Sequence, residues 1–106
     1  MSASTIYVTA STSEEARKIA HTIVGQGLAA CANILGNISS IYQWKGEVRE
    51  EPETALIIKT RRELIPAVVA RIKELHSYDC PCITALNIAD GNVDYINWIK
   101  QNTINK

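Results

Sequence analysis

The chain switches between two periods of hydrophobic and polar positions. TIYVTA, residues 5–10, is a β-branched and aromatic run and predicts a strand. In STSEEARKIAHTIVGQG, which follows, Ala16, Ile19, Ala20, Ile23 and Val24 recur at helical spacing on one face. Ser11 with Glu14, and Thr12 with Glu15, both fit a capping box, in which side chains satisfy the free amides of a first helical turn. Gly25 and Gly27 suit the left-handed backbone that ends a helix.

LAACANI, residues 28–34, and ISSIYQW, residues 38–44, predict strand, with Leu35, Gly36 and Asn37 as a bend or bulge between them. In the second piece Ile38, Ser40, Tyr42 and Trp44 point one way, and Ser39, Ile41 and Gln43 the other. Lys45 and Gly46 form a turn, and EVREEPETALIIKT returns as a second long strand. Pro52 cannot donate to a ladder, so residues 50–53 are expected to interrupt that strand at an edge or bulge. Thr60 with Glu63 offers another capping box. Ile65, Val68, Val69, Ile72 and Leu75 form a helical stripe running through residue 76, and Pro66 favours a start near Leu64 over one at Arg61. CITALNIA, residues 82–89, is the last strand. Asp90, Gly91 and Asn92 turn into a short helix, VDYINWIKQN, with Val93, Ile96 and Ile99 on one face. The tail TINK is expected to be loose.

The order β-α-β-β-α-β with a terminal helix predicts an α+β, ferredoxin-like fold. Right-handed crossovers put both main helices on one face of an antiparallel sheet. At 106 residues the whole chain, 1–106, is one domain. The hairpin over residues 28–60 is too long for so small a sheet, since about 15 residues per arm at roughly 3.3 Å each overshoot the domain. Its overhanging arms carry unpaired backbone groups and apolar side chains, which predicts oligomerisation through strand pairing.

Charge narrows the function classes. Eleven basic residues balance eleven acidic ones. A neutral chain has no general pull toward nucleic acid, and Arg61 and Arg62 are a local pair only. No apolar run approaches about 18 residues, so no membrane span is expected. The start has neither the basic n-region nor the apolar stretch of a signal peptide, so the protein is expected in the cytoplasm. Three cysteines, an odd number, in a reducing compartment are expected as thiols rather than a disulfide framework.

The densest chemistry lies in HSYDCPCITA, residues 76–85. In an extended segment positions two apart face the same side, so Cys80 and Cys82 form a candidate clamp for copper or another soft or divalent metal ion, with His76 as a third ligand. The competing reading makes Cys82 a small buried strand residue, Cys80 a loop residue under the helix end, and His76 a cation at a helix C-terminus. Cys31, between alanines, is expected in the core by burial preference. His21 is expected at the surface. No Ser-His-Asp arrangement can be built, and Glu50 and Glu51 lie in a charged, turn-like run, so no enzyme activity is expected.

LAACANI, the Tyr42-x-Trp44-Lys45-Gly46 turn, LIIKT, LHSYDCP and GNVDYINWI stand in the order and spacing of the CutA family of divalent-cation tolerance proteins, which the chain resembles from Tyr7 to Ile99. The resemblance implies a ferredoxin-like subunit in a tight homotrimer, similar in architecture to the PII nitrogen-signalling proteins. It also implies an association with tolerance to copper and other divalent ions. The chain departs from the family where it matters for metal: Cys82 stands where a glutamate is common, and Val8 stands where some members carry a cysteine implicated in copper binding. The trimer gives the aromatics two readings. Tyr42, Trp44, Tyr78 and Trp98 anchor the subunit contact, or they line an intersubunit cleft for a small molecule with Lys59 as its anion contact. A second function class follows, a signalling or interaction trimer that binds a small molecule or protein partner, metal being incidental.

Overall fold

The computed structural model describes residues 2–104. Strand β1 is Ala3–Ala10, helix α1 Ser13–Gly25, strand β2 Cys31–Trp44, strand β3 Glu47–Arg61, helix α2 Ile65–Leu75, strand β4 Ile83–Asn87 and helix α3 Val93–Gln101. The sheet order is β2-β3-β1-β4, and every pair is antiparallel. This is the expected ferredoxin-like order.

One sheet face is covered by α1 and α2. Ile6, Val8, Leu56 and Ile58 meet Ala16, Ile19, Ile23, Val68 and Ile72, all buried. The period-2 and period-3.6 stripes read from the sequence are the two halves of this core. Ala3 has the opposite parity to Ile6 and packs with Ile99 of α3. Helix α3 therefore lies on the other sheet face, near one end.

Local chemistry accounts for the boundaries. Thr12 Oγ1 accepts from the Glu15 amide at 3.1 Å, and the Glu15 carboxylate accepts from the Ser11 amide at 3.0 Å. Gly27 adopts φ +73°, and a Cβ there would lie 2.6 Å from Cγ2 of Ile104. The Ile104 amide donates to Gly27 O at 2.8 Å, and Arg61 donates to Ile104 O. Thr103 and Ile104 are thus docked rather than loose; the rest of the tail lies outside the described residues.

Strand β2 begins at Cys31 rather than at residue 28, and three further features differ from expectation. Strand β3 runs unbroken through residues 50–53. Its partner β1 ends at the pair Ala10 with Thr54, so at Pro52 the side of β3 away from β2 faces no strand, and a missing amide there costs no ladder bond. The Thr60–Glu63 box does not form: Thr60 Oγ1 donates instead to Leu28 O at 2.6 Å. A short 3-10 turn, Arg62–Leu64, then leads into α2, whose first turn holds Pro66. Finally, β4 begins at Ile83, which leaves Cys82 outside it.

Beyond the pair Ala10 with Thr54, the hairpin continues as two strands only. Residues 38–44 pair with 47–53 in unbroken register, seven pairs without a third strand among the described residues. At about 3.4 Å per residue the overhang is ~24 Å long. A bulge between Ile34 and Gly36 and a two-residue turn with positive φ at Lys45 and Gly46 frame the β2 arm.

Candidate functional site

Three places in the molecule hold the chemistry. The first is built where α2 ends. His76 leaves the helix in an extended conformation, φ −82° and ψ 145°, which turns its ring inward. Nε2 lies 2.7 Å from Thr9 O, and Nδ1 lies 3.1 Å from the Tyr78 amide. A carbonyl only accepts and an amide only donates, so the network assigns a neutral ring with its proton on Nε2. Both nitrogens are engaged inside the protein. To serve as a metal ligand, His76 would have to give up one of these bonds.

Glu15 completes this knot. Its carboxylate accepts from the Ser77 amide at 2.9 Å and from Ser11 Oγ at 3.2 Å. It stands 3.9 Å from His76 Nδ1, too far for a hydrogen bond. Desolvation pushes this carboxyl up, but the hydrogen bonds accepted from Ser11 and Ser77 outweigh it, and the net shift is downward. The Tyr78 hydroxyl donates to Glu53 at 2.8 Å. Burial first, then that carboxylate, push the phenol well up. Residues 76–78 are thereby bound to β1, α1 and β3.

The second place follows directly. Cys80 lies in a bend and Cys82 one residue before β4, and both are exposed. The reading of Cys82 as a buried strand residue is therefore corrected: Ile83, paired with the core residue Val8, takes the helix-facing position, and Cys82 one residue earlier alternates away from it. Among the described residues no group of three His, Cys, Asp or Glu side chains converges as a ready metal cage. What the segment offers is two free thiols flanking Pro81, presented outward from a tethered loop.

The third place is the base of the hairpin. Lys59 sits on the central strand β3, paired with Cys31 on one side and Thr5 on the other. It is not a strand-end charge, as the sequence suggested, because β3 continues to Arg61. Cys31 is half-buried rather than a core residue, because it shares Lys59's side of the sheet, away from α1 and α2. Tyr95 of α3 joins the two: Lys59 Nζ donates to its hydroxyl at 3.3 Å, and Cys31 Sγ lies 3.4 Å from the same oxygen. Trp98 stacks on Tyr95 with centroids 5.6 Å apart and planes at 20°. Sequence reasoning named Lys59 and Trp98 but missed Tyr95; the i, i+3 spacing of Tyr95 and Trp98 on one helix was the available signal.

The expected aromatic cleft does not close within one copy. Tyr42 and Trp44 lie toward the hairpin tip, Tyr78 at its middle beside Glu53, and Lys59 and Trp98 at its base. Tyr42 donates to Glu51 at 2.7 Å, and that bond is the main cause raising its phenol above the ordinary value. Eleven residues of β2 separate Cys31, opposite Lys59, from Tyr42, about 36 Å of strand. Only different copies of the chain could bring these side chains together.

Comparison with known proteins agrees with this architecture. Residues 4–102 match the family model described as CutA1 divalent ion tolerance protein. A Thermus thermophilus protein named divalent-cation tolerance protein CutA is 44% identical over 98 residues, covering 92% of this chain and 95% of that one. The rice protein CutA 1, chloroplastic, is 42% identical over 98 residues; the match covers 92% of this chain but 55% of the rice protein, so the chain spans about half the length of that relative. The crystal structure of CutA1 from Oryza sativa superposes with a TM-score of 0.97 at 39% identity, over 100% of this chain and 97% of that one. The Thermus thermophilus structure gives 0.93 at 42% identity, over 95% and 98%.

Proposed function

The chain belongs to the CutA1 divalent ion tolerance family, and from that premise we propose that it is a self-assembling metal-binding protein that captures a soft ion, copper foremost, at Cys80 and Cys82. The observation that carries this reading is the pair of exposed free thiols two positions apart on an anchored loop. Two thiolates suit the low coordination number that Cu(I) accepts. His76 supports the site from behind, by fixing the start of the loop through its bond to Thr9 O. A closed zinc site would need two further ligands, from another copy or from solution.

Self-assembly is supported by the overhanging hairpin. Ile41 and Val48 are 68% and 70% exposed on one of its faces, and Trp44 is half-exposed on the other. Among the described residues strand β4 pairs only with β1, and its outer edge borders an open groove lined by Arg62, Ile65, Pro66 and Leu86. A neighbour's strand laid along such an edge satisfies backbone groups on both chains. The family resemblance supplies the count of three. No helix of the described residues is long and apolar enough to cross a membrane. Free thiols suit a reducing compartment, the cytoplasm. The role is binding rather than catalysis, without nucleic acid or lipid as partner.

The test is a Cu(I) titration against a competing chelator, comparing the natural chain with the double variant C80S/C82S. The double variant should lose at least tenfold in affinity while keeping the same sedimentation behaviour. Equal affinity in both proteins would end the metal reading. A H76Q variant separates roles: it should lower stability and leave the loaded site's thiolate-to-metal absorption band unchanged.

A further inference from the structure

We propose that Asp90 is a site of spontaneous backbone isomerisation, and that the isoaspartyl link formed there releases the first turn of α3. The modification is independent of metal and of the thiol pair. Both reacting groups belong to adjacent residues of one chain and solvent supplies the rest, so no open sheet face is required.

The first support is sequence. Asp90 is the one aspartate or asparagine in the chain that precedes glycine. Asn33, Asn37, Asn87 and Asn92, by contrast, precede β-branched isoleucine or valine, which crowd the following amide. The second support is geometry. Asp90 lies in a bend between β4 and α3, and its Oδ1 accepts from the Gly91 amide at 2.8 Å. An Asx turn would use the amide two residues on. Here the adjacent nitrogen is held against the carboxyl group it must attack. The Ile88 amide donates to Ala3 O, and Asn92 caps α3, but residues 89–91 make no backbone-to-backbone hydrogen bond among the described residues. No ladder or helix bond has to break first.

In the reaction the Gly91 nitrogen attacks Cγ of Asp90. A C–N bond forms, and one carboxyl oxygen leaves as water, taking the amide proton and a proton from solvent. Water then opens the succinimide ring, restores the N–H and returns the borrowed proton. Opening at Cγ gives aspartate again. Opening at the main-chain carbonyl carbon leaves a free α-carboxylate and routes the chain through Cβ and Cγ. The main chain gains one methylene, about 1.5 Å of bond. That length enters just ahead of Asn92, whose side chain accepts from the Asp94 amide and whose carbonyl accepts from the Ile96 amide, both at 3.0 Å. Displacing this cap frees a helical turn that carries Tyr95, the partner of Lys59 and Cys31.

The experiment is incubation of the natural chain, in whatever assembly it forms, for weeks at neutral pH and physiological temperature. Isoaspartate is then located by peptide mapping and by enzymatic carboxyl methylation with a labelled methyl donor. It should accumulate at Asp90 and at neither Asp79 nor Asp94. D90E, which would have to close a larger ring, should form none there. G91A should slow the reaction at least severalfold. Gly91 has no positive φ, and a Cβ there would lie 3.5 Å from Ile96 Cδ1, an ordinary contact, so this variant keeps its fold. D90N should release ammonia faster than the natural chain isomerises, and gain a negative charge on ion exchange. In the isomerised fraction, separated by chromatography, the Asp94 and Ile96 amides should exchange hydrogen severalfold faster than before incubation. No isoaspartate at Asp90, equal amounts at Asp79 or Asp94, or a G91A rate equal to the natural one overturns the isomerisation. Unchanged exchange at Asp94 and Ile96 overturns the release of α3.

Discussion

At the scale of single residues, environment decides more than residue type. Cysteine is among the most buried side chains on average, and that preference placed Cys31 in the core and allowed Cys82 a buried strand position. Both face outward, because a strand has two faces and only one of them here is covered by α1 and α2. Which face is covered depends on pairings far apart in sequence, which a single chain's composition does not reveal. His21, one step off the helical stripe, is exposed as expected. Glu15 shows the opposite lesson. The sequence marked it as a capping residue, and the fold also uses it to hold Ser77, 62 positions away. Its carboxyl is depressed in the folded state, so its stabilisation is present above the ordinary carboxylate range and is lost as pH falls through the folded value. E15Q should cost about 1–2 kcal/mol near neutral pH, the scale of a charged hydrogen bond. Its stability should also depend less on pH below about 5 than that of the natural chain. Urea unfolding of both proteins from pH 3 to 7 checks this; parallel curves would remove Glu15 from the account.

Among whole elements, periodicity carried most of the fold. Helix α1, strand β1 and the antiparallel order followed from stripes and turns whose physics is local. The misjudged pieces were those settled by tertiary contact. Thr60 has the sequence of a cap, yet its hydroxyl satisfies Leu28 O, a half-buried partner 32 positions away. Pro52 signals a broken strand, yet the sheet narrows to two strands there and tolerates it. Thr12 and Thr60 make a direct comparison. T12A removes a helix cap and should lower stability by about 1 kcal/mol. T60V should cost about 1–3 kcal/mol, because the fully buried Thr60 loses its hydroxyl and the half-buried Leu28 carbonyl loses its donor. T60S, which keeps the hydroxyl, should recover most of that loss. Denaturant titrations at one fixed protomer concentration are required, since assembly would shift apparent stability by mass action. A T60V cost at or below that of T12A would contradict the assignment of Thr60 to Leu28.

For the molecule as a whole, the described chain is 44 Å long and little more than half as wide. The length comes from the hairpin, whose outer seven pairs have no third strand and no helix cover. An isolated two-stranded ribbon is marginal in water, and this one also exposes Ile41, Val48 and Trp44. The sequence already showed arms too long for their sheet. It did not show which edge they would seek, since the free side of β4 becomes visible only in the folded order. The proposed assembly explains both features, and it is also what would let tip and base residues of different copies meet. Sedimentation velocity on the natural chain at micromolar concentration tests this most directly. The account predicts one species at three times the 11.7 kDa protomer mass, persisting on dilution. A stable, folded species at the protomer mass itself would contradict it.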